Sequence, residues 1–453
     1  MSEPRASARL PGDLATIAVI GRISPDPAEV AAAFARLAAD PRPDAASRLY
    51  EALSQSKVTR LALRAADALS GSAEISSGPA ADLRRLLVKE IAEDDAWQEK
   101  ALPKMAEAVR VGADLGGAII KGLAVQPRYP EPGLRHLGDV DIHFPCWSRA
   151  LPLVRALRAD GWVHDTDEYP WLKWHECGLS YGQFSLVYPT AAAPYARVDL
   201  HMGPFSVGHA SMVPLMGWEP GSVLGFEIMV ASPETSAVIV AAHALGDQLL
   251  SMKDINDLHV LVGGRVVDWL SVIESCRSAR AVPILAQLLH VLRTAYPEDA
   301  QAIPPLAIEP AALGVVRASK ATRAAAVAHA AYDEERSRGS GRLTASRRAR
   351  DARRYFRTDL SPQAGRRPDT GPAPSLRRRD LCWRLIPQEA WPLVPGEKLD
   401  GRDEHEELET GLVLVRNGNG VAVVCGADVF VPTIWGEINP ASVALARRLA
   451  KAA

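Results

Sequence analysis

The chain has 453 residues, 47% of them hydrophobic and 23% charged, with a formal net charge of −2. That length suggests two or three domains with a core large enough to fold unaided, and the near-neutral balance argues against a globally basic nucleic-acid binder. The five cysteines, Cys146, Cys177, Cys276, Cys382 and Cys425, are scattered without a CxxC pair, which argues against a disulfide framework or a cysteine zinc site.

No apolar stretch approaches the ~18 residues of a membrane span, and the opening residues lack the apolar run of a signal peptide. The expectation is a cytoplasmic protein that stays off the membrane. Of the 52 basic residues 42 are Arg, read here as genomic base composition rather than as function.

Apolar residues recur at three- and four-residue spacing over 30–39 and 46–68, on either side of Asp40-Pro41-Arg42-Pro43, which predicts helices separated by a breaker. A Gly/Ser-rich joint follows at 71–79, then a long amphipathic segment over 81–111, with an interruption expected at Pro103. The period then changes. Residues 118–120 form a short apolar run ended by Lys121-Gly122, and the turn-rich loop 126–133 leads to alternating residues at 138–144, which predicts a half-buried strand.

A helix is expected over 148–160, ended by Gly161, and two strands over 181–188 and 195–202, joined by a turn at 190–194. His209 and Trp218 fall in a Gly/Pro/Met-rich stretch that reads as a surface excursion. Helical spacing returns over 235–261, then over 281–295 and 307–331. Residues 336–380 hold 14 Arg and 4 Asp, a local charge of +10, and read as a solvated linker, with a clamp for a phosphate-rich or acidic substrate as the alternative. Two apolar runs at 411–415 and 421–425 flank Asn417-Gly418-Asn419-Gly420, a hairpin signal. A strand at 429–434 and a closing helix at 441–452 complete the chain.

Three acidic residues carry the chemistry. In Asp139-Val140-Asp141-Ile142-His143 alternate side chains of a strand share a face, so Asp139, Asp141 and His143 project together. Two carboxylates about 7 Å apart along a strand repel unless a cation lies between them, and hard oxygen ligands suit Mg²⁺ or Mn²⁺. In Arg197-Val198-Asp199-Leu200-His201 the same alternation puts Asp199 and His201 together, and on a neighbouring strand Asp199 would complete a three-carboxylate site. The alternative, charges on an open sheet face, sits badly with the depletion of Asp in strands. Gly122, at the end of the first strand, allows backbone amides to approach a phosphate, and Arg135 is a candidate phosphate contact. His243 with Asp247, and Lys253 with Asp257, each share a helical face, either as cleft residues or as a core histidine and a surface ion pair. Trp171, Trp174 and His175 read as packing beneath a loop, or as a lid over a planar ligand.

Taken in order, Ile120-Lys121-Gly122, Tyr129-Pro130, Arg135-His136-Leu137-Gly138-Asp139-Val140-Asp141 and Asp199-Leu200-His201 resemble the motifs of a bacterial nucleotidyltransferase-like family in the DNA polymerase β superfamily. His243 and the Lys253–Asp257-Leu258 pattern match its later helix, and the resemblance covers about 115–265. It implies an α+β fold with a small mixed β-sheet nucleotidyltransferase core at 111–232 and a helical domain completing the cleft at 233–335; outside its reach, residue patterns alone give a helical N-terminal region at 1–110, the Arg-rich linker at 336–380 and a small β-rich C-terminal region at 381–453. Lys-Gly stands where the superfamily usually has Gly-Ser or Gly-Gly, and the gap from Gly122 to Asp139 is long.

The resemblance also implies roles. Asp139, Asp141 and Asp199 would be the catalytic metal ligands, Lys121, Gly122, Arg135 and Gly138 would hold nucleotide and phosphate, and His201, His243, Lys253 and Asp257 would line the cleft. The expected activity is Mg²⁺- or Mn²⁺-dependent transfer of a nucleoside monophosphate, AMP first, from an NTP to a hydroxyl on a small molecule, a peptide or protein, or an RNA end. The setting would be a specialised biosynthetic pathway or a toxin–antitoxin pair, without stable DNA binding. Two other readings compete: a dinuclear metallohydrolase using the Asp-x-Asp-x-His and Asp-x-His ligands, and a non-catalytic nucleotide-binding adaptor.

Overall fold

In the computed structural model the described residues are 11–69, 77–165, 169–174, 180–189, 196–303 apart from 204, 208–210, 214, 216, 248, 265–266 and 279–280, a few positions from 304 to 316, and 383–452 apart from 394–398, 400, 410 and 434–437. The helix expected at 307–331, the Arg-rich stretch 336–380, the turn 190–194, most of the joint 71–79, and His175, Cys177, His209 and Cys382 lie outside them.

Four helices open the chain: α1 (Pro11–Ile20), α2 (Pro27–Ala38), α3 (Ala45–Gln55) and α4 (Thr59–Ala68). The single helical segment expected over 46–68 is therefore two helices, broken at 56–58. Asp26 caps α2, its side chain accepting from the amides of Ala28 and Glu29, as an N-cap aspartate should. Helix α5 (Gly78–Asp114) runs 37 residues straight through Pro103, where an interruption was expected. Its last turns are tied into the sheet: a Cβ at Gly112 would stand 3.1 Å from the Ile142 side chain, so glycine there permits close helix–sheet approach.

The sheet begins with β1 (Ala118–Ile119), followed by the one-turn α6 (Gly122–Val125), then β2 (Val140–Phe144), α7 (Trp147–Ala159), β3 (Val163–His164), β4 (Trp171–Trp174), β5 (Ser180–Tyr188) and β6 (Ala196–Met202). A short hairpin, β7 (Phe205–Val207) with β8 (Ser211–Val213), stands apart. Next come β9 (Trp218–Val223), β10 (Phe226–Ala231), α8 (Pro233–Asp247), α9 (Met252–Gly264), α10 (Trp269–Ser278) and α11 (Val282–Ala295). The C-terminal region adds β11 (Trp383–Ile386), β12 (Glu404–Glu409), β13 (Leu412–Asn417), β14 (Gly420–Cys425), β15 (Asp428–Thr433) and α12 (Pro440–Ala452).

Thirteen strands form one mixed sheet in the order β12-β13-β14-β15-β11-β4-β5-β6-β2-β1-β10-β9, with β3 on β5. The small core sheet and the β-rich C-terminal region are thus continuous, joined where β11 pairs with β4, Trp383 opposite Leu172. Two pairings are parallel, β2 with β6 and β1 with β10. The stretch around Trp218 is not a surface excursion: it opens β9, and β10 lies beside β1 in the body of the sheet. Trp171 is not a lid residue either; it is buried in β4 and packs edge-on to Tyr181.

Strand β2 is buried along its whole length, not half-buried. Val140, Ile142 and Phe144, with Val198, Leu200 and Met202 of β6, join the main core shared with α5 and α7. Alternation turns Asp141, His143, Asp199 and His201 to the other face. A second, smaller core joins α12 to the C-terminal strands through Val415, Ala422, Val431, Val443 and Leu445.

Candidate active site

The parallel register sets Asp141 beside Asp199 and His143 beside His201. One ligand atom from each of Asp141, Asp199 and His201, all buried, lies within 4.8 Å of the others, an arrangement able to hold a metal ion. Asp139 lies outside this trio. It precedes β2, so strand alternation does not govern it, yet it lines the same cleft as Asp141. His143 shares the Asp141 face but is committed elsewhere: its Nε2 lies 2.6 Å from the Gly203 carbonyl and its ring stacks on Trp218 at 5.0 Å. Burial lowers its pKa to about 4, so it stays neutral. Of the Asp-x-Asp-x-His and Asp-x-His ligands, the structure gathers Asp141, Asp199 and His201.

Lys121 ends β1 at φ +53, a left-handed conformation that turns the chain away from the sheet. Its Nζ donates to Asp141 Oδ1 at 2.6 Å and lies 3.3 Å from His201 Nε2; His201 Nε2 lies 2.8 Å from the same carboxylate oxygen. Burial opposes the charge on Lys121, but Asp141, Asp199 and Asp139 outweigh it and raise the ammonium pKa above its ordinary value. Burial likewise opposes the charge on Asp141, yet Lys121 and His201 hold its carboxyl well below the usual carboxylate range. Burial, then Lys121, lowers the pKa of His201. On the far side of Asp199, Arg197 Nε donates to its Oδ1 at 3.2 Å. A cation held by the trio would share Asp141 with Lys121.

Beyond the trio the site opens into a cleft, a space of about 620 Å³ that includes open solvent at its mouth. Sheet residues and their loops form one wall, through Lys121, Gly122, Arg135, His136, Gly138, Asp139 and Asp141. Helix α8 supplies Ser236, Ile239, Val240 and His243, one face at helical spacing, and α9 supplies Lys253, Asp254 and Asp257. Lys57, from the α3–α4 break, completes the rim. Of the residues expected here, His243, Lys253 and Asp257 do line the cleft, while His201 lies beneath it in the trio. His243 Nδ1 is 3.0 Å from Asp247.

A clamp holds the two walls together. Arg135 donates to Asp257 through Nε at 3.0 Å and its terminal nitrogen at 2.9 Å, while its other terminal nitrogen donates to the His136 carbonyl at 2.9 Å. Tyr129 Oη donates to Asp257 at 2.7 Å, and Lys253 Nζ lies 3.3 Å from Asp257 and 2.9 Å from Asp254. Against the cost of burial, Arg135 and Lys253 hold the Asp257 carboxyl at about 2. Ser251 and Asp254 fix the start of α9, Ser251 Oγ accepting from the Asp254 amide at 3.2 Å and donating to the Asp254 carboxylate at 2.6 Å, the amide contact an N-cap serine makes. A Cβ at Gly122 would stand 2.9 Å from the Arg135 guanidinium, so glycine there makes room for the arginine. Lys57, His136 and Asp254 are cleft residues that motif reading does not pick out; only Asp254 carried a signal, the Ser-x-x-Asp spacing.

Residues 43–297 match the profile of a family described as uncharacterised nucleotidyltransferase, more than half of the chain. The chain belongs to that family. This nucleotidyltransferase thus has a family unit wider than the expected 115–265, one that takes in α3, α4 and α5 and so includes Lys57. No curated protein matches it. Among solved structures it is similar to an antigenic nucleotidyltransferase-like protein from Paracoccidioides brasiliensis, at 13% identity and a TM-score of 0.29 over 45% of this chain and 92% of that one. Among the described residues, no helix is long and apolar enough to cross a membrane.

Proposed function

We propose that this nucleotidyltransferase transfers a nucleoside monophosphate, AMP, from an NTP to a hydroxyl acceptor with release of pyrophosphate. The observation that carries the reading is the buried trio Asp141, Asp199 and His201, with donor atoms within 4.8 Å at the foot of a cleft. Two oxygen donors and one imidazole fit a divalent cation, Mn²⁺ or Mg²⁺. Asp141, Asp199 and His201, with Asp139 lining the same cleft, would hold such a cation, which would supply charge neutralisation and Lewis acidity at the reacting phosphate.

The chain's own groups do the rest. Lys121, held charged, offsets negative charge that builds on the phosphate oxygens. Asp199 receives the proton of the acceptor hydroxyl as its oxygen bonds to the α-phosphorus and the bond to pyrophosphate breaks. Arg135 orders the loop carrying Gly138 and Asp139 by its hold on Asp257, with phosphate contact a second role. Gly122, Gly138, His201, His243 and Lys253 shape the walls. In this proposal 111–232 is the core, and α8 and α9 are the helical part that closes the cleft.

The test is pyrophosphate release from each of the four NTPs, with Mn²⁺ binding followed by electron spin resonance. Asp141→Asn and Asp199→Asn should each weaken Mn²⁺ binding and lower turnover by at least about 100-fold. Wild-type Mn²⁺ affinity in both variants would overturn the site.

A further inference from the structure

We infer that Lys57, from the N-terminal helices, grips the triphosphate end of the donor nucleotide. The inference rests on the NTP-donor reading above and adds a residue from outside the sheet.

The first observation is backbone geometry. Helix α3 ends in a Schellman motif: the Val58 amide donates to the Leu53 carbonyl at 3.1 Å and the Lys57 amide to the Ser54 carbonyl at 2.9 Å. The residue after the C-cap then takes a left-handed conformation, and glycine is the usual occupant. Here it is Lys57, at φ +54. Among the described residues three non-glycines have positive φ: Lys57, Lys121 and Leu224. Leu224 lies with Gly225 in the two-residue turn between β9 and β10, a turn that demands such angles. The other two are lysines, and both line the same cleft. Strain kept at a residue that glycine would relieve points to work done by its side chain.

The second observation is charge pairing. Within the cleft Lys121 is paired with Asp141, Arg135 with Asp257, Lys253 with Asp254 and Asp257, His136 with Asp94 at 3.9 Å, and His243 with Asp247. Lys57 is exposed at the rim and, among the described residues, has no carboxylate within ion-pair distance. Its charge does reach into the site, acting on His136. A triphosphate brings several negative charges to a cleft whose Lys121, Arg135 and Lys253 each already face a carboxylate. Its β- and γ-phosphates therefore fall to Lys57, with charge-assisted hydrogen bonds to the ammonium.

The experiment is calorimetric titration of the full chain with Mg²⁺·ATP, AMP and inorganic tripolyphosphate, for wild type, Lys57→Gly and Lys57→Arg, with melting temperatures measured alongside. Lys57→Gly should melt no lower than wild type, because glycine relieves the strained backbone. It should bind ATP and tripolyphosphate about tenfold more weakly and AMP unchanged, and Lys57→Arg should keep most of the ATP affinity. Two outcomes overturn the inference alone: unchanged ATP binding in Lys57→Gly, as when the lysine serves only the end of α3, or equal losses for ATP and AMP. If wild type binds none of the four NTPs, each titrated in the same way, the donor reading falls and takes the inference with it.

Discussion

Asp257 receives Tyr129, Nε and one terminal nitrogen of Arg135, and Lys253 on one fully buried carboxylate. Deleting it strands a buried guanidinium, and breaking a buried pair by removing one partner costs about 3–5 kcal/mol. Asp257→Ala should therefore lower unfolding stability by about that amount in urea titrations, and Asp257→Asn by less, since the amide oxygen still accepts. A loss under about 1 kcal/mol for Asp257→Ala would show that the clamp is not structural. Only part of it was legible in the sequence. Lys253 and Asp257 stand four residues apart, a spacing that declares itself. Arg135 and Asp257 are 122 residues apart, and nothing local couples them. Asp141, Asp199 and His201 were legible because period-two alternation and a parallel neighbour bring them together. Asp139 was placed on the Asp141 face, but β2 begins one residue after it.

Pro103 lies two-thirds of the way along α5 without breaking it, although proline removes an amide donor and crowds the preceding turn. The helix persists because both ends are anchored: Leu83 and Leu87 are buried near one, and Met105, Ala108 and Val109 toward the sheet at the other. Because Pro103 itself is exposed, Pro103→Ala restores a hydrogen bond and disturbs no packing. It should stabilise the protein by about 1–3 kcal/mol, read as a higher urea midpoint with an unchanged slope. An unchanged midpoint would mean that the helix has already absorbed the cost locally. The same competition between local signal and packing explains the elements that sequence reading missed. The break at 56–58 carries no glycine or proline, and β9 and β10 are short, with Gly221, Pro220 and Met229 diluting their alternation. The hairpin of β13 and β14 carried its own turn code and was plain.

Across the whole molecule, the C-terminal strands are bound to the nucleotidyltransferase core by more than the β11–β4 ladder. Arg158 of α7 pairs with Glu389 and with Asp428 of β15. Beside it His164 of β3 packs between Phe184 of β5 and Phe430 of β15, each ring centre 5.6 Å away. Its Nδ1 has no hydrogen-bond partner among the described residues. Burial, with a smaller contribution from Arg158, the charged group facing it, lowers its pKa from 6.5 to about 3. The sign follows from linkage. Below pH 6.5 the unfolded imidazole takes up a proton that folded His164 refuses until about pH 3, so stability falls as pH falls through that window. At pH 5 this one residue removes about 2 kcal/mol. His164→Leu should abolish that share, so urea titrations at pH 7 and pH 5 should show a smaller drop for the variant than for wild type. Parallel losses in the two proteins would show that His164 is protonated in the folded state and that the seam between core and C-terminal strands opens to water.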